Sequence, residues 1–264
     1  MRNPRTLAAA GIIFVVLLVT FCYAAFSYSW NGITRSFYSG CTKVWAHRGY
    51  DKKGLGNSLQ SVRQAFQLGA SGVELDVFFD LPSNQFIVSH DIPYQRHQRS
   101  LLKLGTVFEE QGQSGYFWLD FKNLKDLRTN EVNEAVAILL ELAIQYGVKD
   151  RVIIESSSGM NLIPLSSAGL FTSFWISPRE DDYPVRFQIR LMMYKLIFWY
   201  GNLSAFSMDY RDFGEKTERA LAPAPVNLFT VNQSDELARL IGKQQVQIVL
   251  SDTLSYRQGD CQAR

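Results

Sequence analysis

Short apolar runs ending in charged or imidazole side chains recur along the first half of the chain. They read V-W-A-H-R-G from Val44, V-E-L-D-V from Val73, F-I-V-S-H-D from Phe86 and W-L-D-F-K from Trp118. Each has the look of a strand whose tip carries chemistry. Side chains two apart on a strand share a face, so Glu74 and Asp76 project together, as do Asp120 and Lys122. Charged groups at the ends of apolar strands are costly unless paired or bound to a metal, and four such tips in succession point to one shared site.

The intervening pattern predicts the rest of the fold. A strand over 43–47 leads to a helix over 57–68, where Leu59, Val62, Ala65 and Phe66 follow three-four spacing and Gly69 supplies a stop. A strand over 72–78 is followed, after the turn D-L-P-S-N, by an extended run over 85–90. That link is too short for a parallel crossover, which takes about a dozen residues. The run is therefore expected to fold back antiparallel, carrying His90 over the end that holds Glu74 and Asp76. Further strands are read over 116–121, 151–155, 172–176, 204–208, 227–231 and 247–250. Between them lie helices over 130–146, 185–200, 215–220 and 234–243, the last capped by Ser234, and weaker helical stretches over 100–111 and 161–168. Setting the hairpin run aside, eight parallel strands alternate with helices. This is the pattern of an α/β fold, the (β/α)8 TIM barrel, whose active sites lie at the C-terminal ends of the strands. Every charged tip falls at that end.

Composition adjusts this picture little. With 264 residues, 47% hydrophobic and 13% aromatic, the chain has enough apolar material for one large core. A net charge of +2 gives no electrostatic footprint for nucleic acid. The N-terminus is different in kind. Arg2 and Arg5 precede a mostly apolar, uncharged run over 6–26, about the ~20 residues needed to cross a bilayer as a helix. The sequence therefore divides into a signal anchor or transmembrane helix over 1–27, a linker over 28–42 and the barrel over 43–264. Basic residues before the run favour a cytoplasmic N-terminus, which places the barrel on the non-cytoplasmic side of the membrane. A cleaved signal peptide is the alternative, and the barrel is then secreted. An exported domain permits a disulfide. Cys41 precedes the first strand and Cys261 follows the last, and these strands are neighbours in a closed barrel; a bridge is expected, with two free thiols as the alternative.

Residues 187–206 contain Leu191, Met192, Leu196, Phe198 and Trp199 together with Arg190 and Lys195. Two readings stay open: an ordinary barrel helix with the apolar face that packing needs, or a helix lying on a membrane surface.

At H-R-G, E-L-D, S-H-D and L-D-F-K, in that order, the chain resembles the glycerophosphodiester phosphodiesterase family, whose barrel is similar to that of phosphatidylinositol-specific phospholipase C. The resemblance runs from about residue 44 to 252 and includes F-T-V-N from Phe229 and I-V-L-S-D from Ile248. It implies that His47 and His90 are the acid/base pair. It also implies that Arg48 and Lys122 hold phosphate oxygens and that Glu74, Asp76 and Asp120 bind one divalent cation. Two positions depart from the family's pattern. L-G-N-S at 55–58 stands where the family has Pro-Glu-Asn-Thr, and Asp120 stands where it has Glu. An Asp within L-D-F-K is similar to the sphingomyelinase D-like phospholipases.

Three carboxylates with no soft ligand beside them suit a hard cation, Mg²⁺ or Ca²⁺. An Arg offers bidentate contacts to phosphate and a Lys a point charge. One histidine accepts the proton of an attacking hydroxyl and the other protonates the leaving oxygen. These parts suit hydrolysis of a small-molecule or lipid phosphodiester. A phospholipase D-like enzyme on lysophospholipids or sphingolipids, and a non-catalytic phosphate- or lipid-binding barrel, are the alternatives.

Overall fold

The computed structural model describes residues 20–33, 37–40, 42–50, 54–90, 101–180 and 183–253. The chain divides into two compact units, Met1–Thr34 and Arg35–Arg264. In the first, residues 20–31 are helical. No described helix is long and apolar enough to cross a membrane. Most of the apolar run over 6–26 lies outside the described residues, as do Cys41 and Cys261, so the expected anchor and bridge fall there.

The second unit is a closed barrel. Its strands are β1 (Val44–Ala46), β2 (Gly72–Asp80), β3 (Gln85–Val88), β4 (Tyr116–Phe121), β5 (Val152–Ser156), β6 (Phe171–Trp175), β7 (Ala205–Asp209), β8 (Val226–Phe229) and β9 (Val246–Ser251). Neighbours run in the order β1-β9-β8-β7-β6-β5-β4-β2-β3, and β1 also pairs with β2, which closes the ring. Among the described residues eight strands pair parallel, and β3 is antiparallel, pairing with β2 from Val77 opposite Val88 to Asp80 opposite Gln85. The short turn at 81–84 thus makes the hairpin that its length requires.

Around the ring stand α1 (Leu59–Gln67), α2 (Leu104–Gln111), α3 (Thr129–Gln145), α4 (Gly159–Ser167), α5 (Pro184–Tyr200), α6 (Glu215–Leu221) and α7 (Ser234–Ile241). One expected cap is corrected. Gln233, not Ser234, precedes α7, and no side chain caps it. Ser234 already lies inside the helix, and Asp235 and Glu236 in the first turn provide the negative charge that an N-terminus favours.

The barrel interior is packed, not hollow. Trp45, Trp118, Ile153, Ala205, Ile248 and Leu250 form one buried cluster, against which Tyr116 and Phe171 pack. Phe37 and Tyr38, within the segment read as a linker, belong to this cluster. Phe37 lies 5.0 Å from the Phe171 ring, and Tyr38 lies 5.1 Å from both Trp45 and Tyr116. Burying aromatic rings of this size contributes about 1.5–3 kcal/mol each. The apolar plug fixes the strands from which the charged tips project.

Candidate active site

The turn after β1 is built for close approach. Arg48 and Gly49 both adopt positive φ, +54° and +71°. This lets Arg48 N–H donate to Glu74 Oε2 at 2.8 Å and Gly49 N–H to the Glu74 carbonyl at 3.2 Å. A left-handed conformation costs a non-glycine residue roughly 1–2 kcal/mol. The turn is held against that cost by Ser61 Oγ and Asn57 N–H, which both donate to the Arg48 carbonyl at 3.0 Å. At Gly49 a Cβ would meet Ser61 Oγ at 2.6 Å and the Ser61 carbonyl carbon at 2.7 Å, so only glycine fits. Ser58 and Ser61 form a reciprocal capping box that starts α1 here.

Asp76 is the hub of the site. Its side chain is 1% exposed, a position that a carboxylate takes only with partners. Lys122 Nζ lies 2.6 Å from Oδ1, Asn57 Nδ2 donates to Oδ2 at 2.6 Å, and Arg48 Nε lies 3.2 Å from Oδ2. Asn57 Oδ1 accepts from Asp76 N–H at 2.9 Å, so Asn57 braces the first loop against β2. Lys122 also pairs with Asp120, which stands in register with Asp76 on the adjacent strand. Oxygens of Glu74, Asp76 and Asp120 come within 4.8 Å of one another. This all-oxygen set fits a hard divalent cation.

Electrostatics agree with that fit. Burial, with Asp76 and Asp120 nearby, pushes the Glu74 carboxyl well above its ordinary range. Burial also raises Asp120, although Lys122 pulls the other way. Burial alone would lower Lys122, but Asp120 and Asp76 outweigh it and the ammonium is held more firmly protonated. Glu74 and Asp120 thus lack sufficient positive charge beside them, which a cation would supply.

His47 follows β1 at the opposite edge of the cluster. Its Nδ1 lies 2.7 Å from Asp252 Oδ1 and its Nε2 3.8 Å from Glu74 Oε2. Asp252 is clamped by Asn232, whose Nδ2 donates to Oδ2 at 2.8 Å while its Oδ1 accepts from Asp252 N–H at 2.9 Å. The hydrogen bond to His47 holds the Asp252 carboxyl below its usual range. Protonated Nδ1 facing Asp252 leaves Nε2 directed towards the carboxylates, a tautomer assigned from this hydrogen bond. His90 is exposed just beyond β3; Ser89 N–H before it bonds the Asp76 carbonyl at 3.0 Å, and the imidazole acts electrostatically on Asp120.

All seven residues singled out in the sequence therefore stand on this end of the barrel. The sequence reading did not single out Asp252 and Asn232. Their signal was the S-D pair closing β9, which in a closed barrel abuts β1. Glu155 stands in register with Asp120, and its carboxyl is buried, with Oε2 unpartnered among the described residues. Burial, then Asp120, pushes it well above the ordinary range. Asp209 instead turns to Arg211, bonding its Nε at 2.8 Å. Trp175 is 41% exposed at the tip of β6, with its ring 5.7 Å from Phe229.

No protein-family model matches the chain, and no curated protein matches it in sequence. Solved structures do. A phosphodiesterase from Oleispira antarctica, in complex with the product sn-glycerol-3-phosphate, superposes with a TM-score of 0.62 at 19% identity over 82% of this chain and 94% of its own. A glycerophosphodiester phosphodiesterase from Thermotoga maritima gives 0.62 at 19% over 82% and 97%. One from Parabacteroides distasonis gives 0.59 at 18% over 80% and 92%. At these identities the likeness is one of fold.

Proposed function

We propose that the chain is a metal-dependent phosphoric diester hydrolase acting on glycerophosphodiesters. The observation that carries this reading is the juxtaposition of the His47–Asp252 pair, Nε2 inward, with three carboxylates whose oxygens approach within 4.8 Å. The likeness in fold to phosphodiesterases supports it.

Glu74, Asp76 and Asp120 would hold one divalent cation, Mg²⁺ or Ca²⁺, which when bound supplies Lewis-acid polarisation of a phosphoryl oxygen. Arg48 and Lys122, already drawn in by Asp76, offer the substrate phosphate a guanidinium and an ammonium. In the proposed first step the substrate's own adjacent hydroxyl attacks phosphorus. Its proton passes to one histidine, the bond to the leaving alcohol breaks, and the other histidine protonates that alcohol. The resulting cyclic phosphate is opened by water with the roles reversed. Asp252 keeps the His47 ring in the orientation and tautomer that this exchange needs.

A lysophospholipid or sphingolipid substrate is the second reading, favoured by Asp120 in place of Glu. Turnover of glycerophosphocholine and of a lysophospholipid, measured side by side with His47→Ala and His90→Ala as controls, tests both. Loss of neither activity in the variants contradicts the assignment. The run over 6–26 carries the further proposal of an anchor with the barrel on the non-cytoplasmic side; release of the chain from membranes by alkaline carbonate would contradict it.

A further inference from the structure

The row of carboxylates at the site continues one strand beyond the three residues that would hold the cation. Trp118 of β4, Ile153 of β5 and Ala205 of β7 belong to the interior plug. Side chains two residues apart on a strand share a face, so Asp120, Glu155 and Ser207 point inward one layer above it. Asp76, Asp120 and Glu155 stand in register across β2, β4 and β5. Glu155 is 3% exposed, and its Oε2 has no hydrogen-bond partner among the described residues. Burial raises its carboxyl first, and Asp120, Lys122 and Asp76 each act on it as well. The carboxyl therefore lies within electrostatic reach of the cluster.

Barrel packing gives no reason for a carboxylate there. A leucine or glutamine would fill a similar volume without the cost of a buried charge. Lys122 offsets that cost only in part, because its ammonium already pairs with Asp76 and Asp120. Charge balance supplies a reason. With every group ionised, Glu74, Asp76 and Asp120 facing Arg48 and Lys122 leave one negative charge; Glu155 makes it two, which one divalent cation balances.

The wall beyond Glu155 is polar as well. Ser173 stands in register with it, and Ser207 with Asn227 on the next two strands. Asn227 Nδ2 donates to Ser173 Oγ at 3.2 Å, while Ser207 Oγ and Asn227 Oδ1 are buried and unpartnered among the described residues. Buried polar atoms in such a row are as a rule bridged by ordered water. Through such water a carboxylate acts on an ion that it does not touch. The oxygens within 4.8 Å of one another come from Glu74, Asp76 and Asp120, so Glu155 is placed for that indirect contact rather than for direct ligation.

We propose that Glu155 is the fourth carboxylate of the cation site, a positioning residue that holds the ion's water ligands and raises the site's affinity for Mg²⁺ or Ca²⁺. This rests on the reading of Glu74, Asp76 and Asp120 as the cation's own ligands.

The test is calorimetric titration of Mg²⁺ and of Ca²⁺ into the full chain without substrate, for the parent, Glu155→Gln and Asp209→Asn. Asp209→Asn removes the same charge from another strand tip at the same end of the barrel, where it pairs with Arg211. Glu155→Gln is expected to weaken cation binding about 10–100-fold at unchanged stoichiometry, the range for residues that orient a metal's ligands. Asp209→Asn is expected to stay within about twofold, as for a screened charge near the surface. Chelated Glu155→Gln should melt no lower than the chelated parent, and added cation should raise its melting temperature less. Three results would overturn the proposal: equal affinity in Glu155→Gln and the parent, an equal loss in Asp209→Asn, or a Glu155→Gln chain that no longer folds in chelator. The last would make Glu155 a structural residue. A parent chain that binds neither cation would overturn the assignment of the three ligands, and this proposal with it.

Discussion

His47 Nδ1 and Asp252 Oδ1 lie 2.7 Å apart, although 205 residues separate them in sequence. Barrel closure brings them together: β1 pairs with β9, and His47 N–H bonds the Ser251 carbonyl at 3.1 Å. Asp252 acts on the site through the imidazole that it holds. Asp252→Asn is expected to lower kcat about 10²–10³-fold, the scale of acid/base assistance, with KM and cation affinity little changed. Steady-state kinetics and cation titration check this. An equal rise in KM would instead make Asp252 a substrate contact.

The same pair gives an acid-side stability effect. Asp252 has a lowered carboxyl value in the folded protein, so the folded state binds fewer protons than the unfolded chain between the two values. Its stabilisation is present above the ordinary value near 3.8 and is lost as pH falls through the folded one. Melting temperature should fall less steeply on acidification in Asp252→Asn than in the parent. Parallel curves would contradict the coupling.

Glu74 and Glu155 have the opposite sign. Their folded values lie well above the ordinary 4.5. The stability they contribute is full below 4.5 and is lost as pH rises through the raised values. The chelated protein should therefore melt lower at pH 8 than at pH 5, and Mg²⁺ or Ca²⁺ should restore part of the loss. Glu155→Gln, which removes a buried carboxyl with an unpartnered oxygen, should stabilise the chelated protein at pH 8 by about 1–3 kcal/mol. Calorimetric scans at the two pH values measure all three effects.

Much of this was legible from the chain because two periodicities do not overlap. Strands that end in H-R, E-L-D or L-D-F-K declare both their face and their end, and the five-residue turn before Gln85 permits only a hairpin. Asp252 was less visible because its role depends on a neighbour across the barrel seam. Glu155 was less visible because V-I-I-E differs from an ordinary strand end only through its register with Asp120. Helix α5, with Phe187, Leu191 and Phe198 buried and Ile189, Met193 and Leu196 exposed, was ambiguous because periodicity alone cannot tell which of two apolar faces meets the barrel.

Gly49→Ala tests the first turn. A Cβ would press on Ser61 backbone at a position with φ of +71°, so strain and displacement together should cost about 2–4 kcal/mol. The expected result in urea denaturation is a lower midpoint with an unchanged slope. A neutral substitution would show that the Arg48–Gly49 turn is not held as described.

The most direct test of the central claim is glycerophosphocholine turnover by the full chain with Mg²⁺ or Ca²⁺, then after chelation, with His47→Ala alongside. The expected result is release of glycerol phosphate that stops on chelation, returns with the cation and falls at least about 10²-fold in the variant. Turnover unaffected by chelation, or undiminished in His47→Ala, would contradict it.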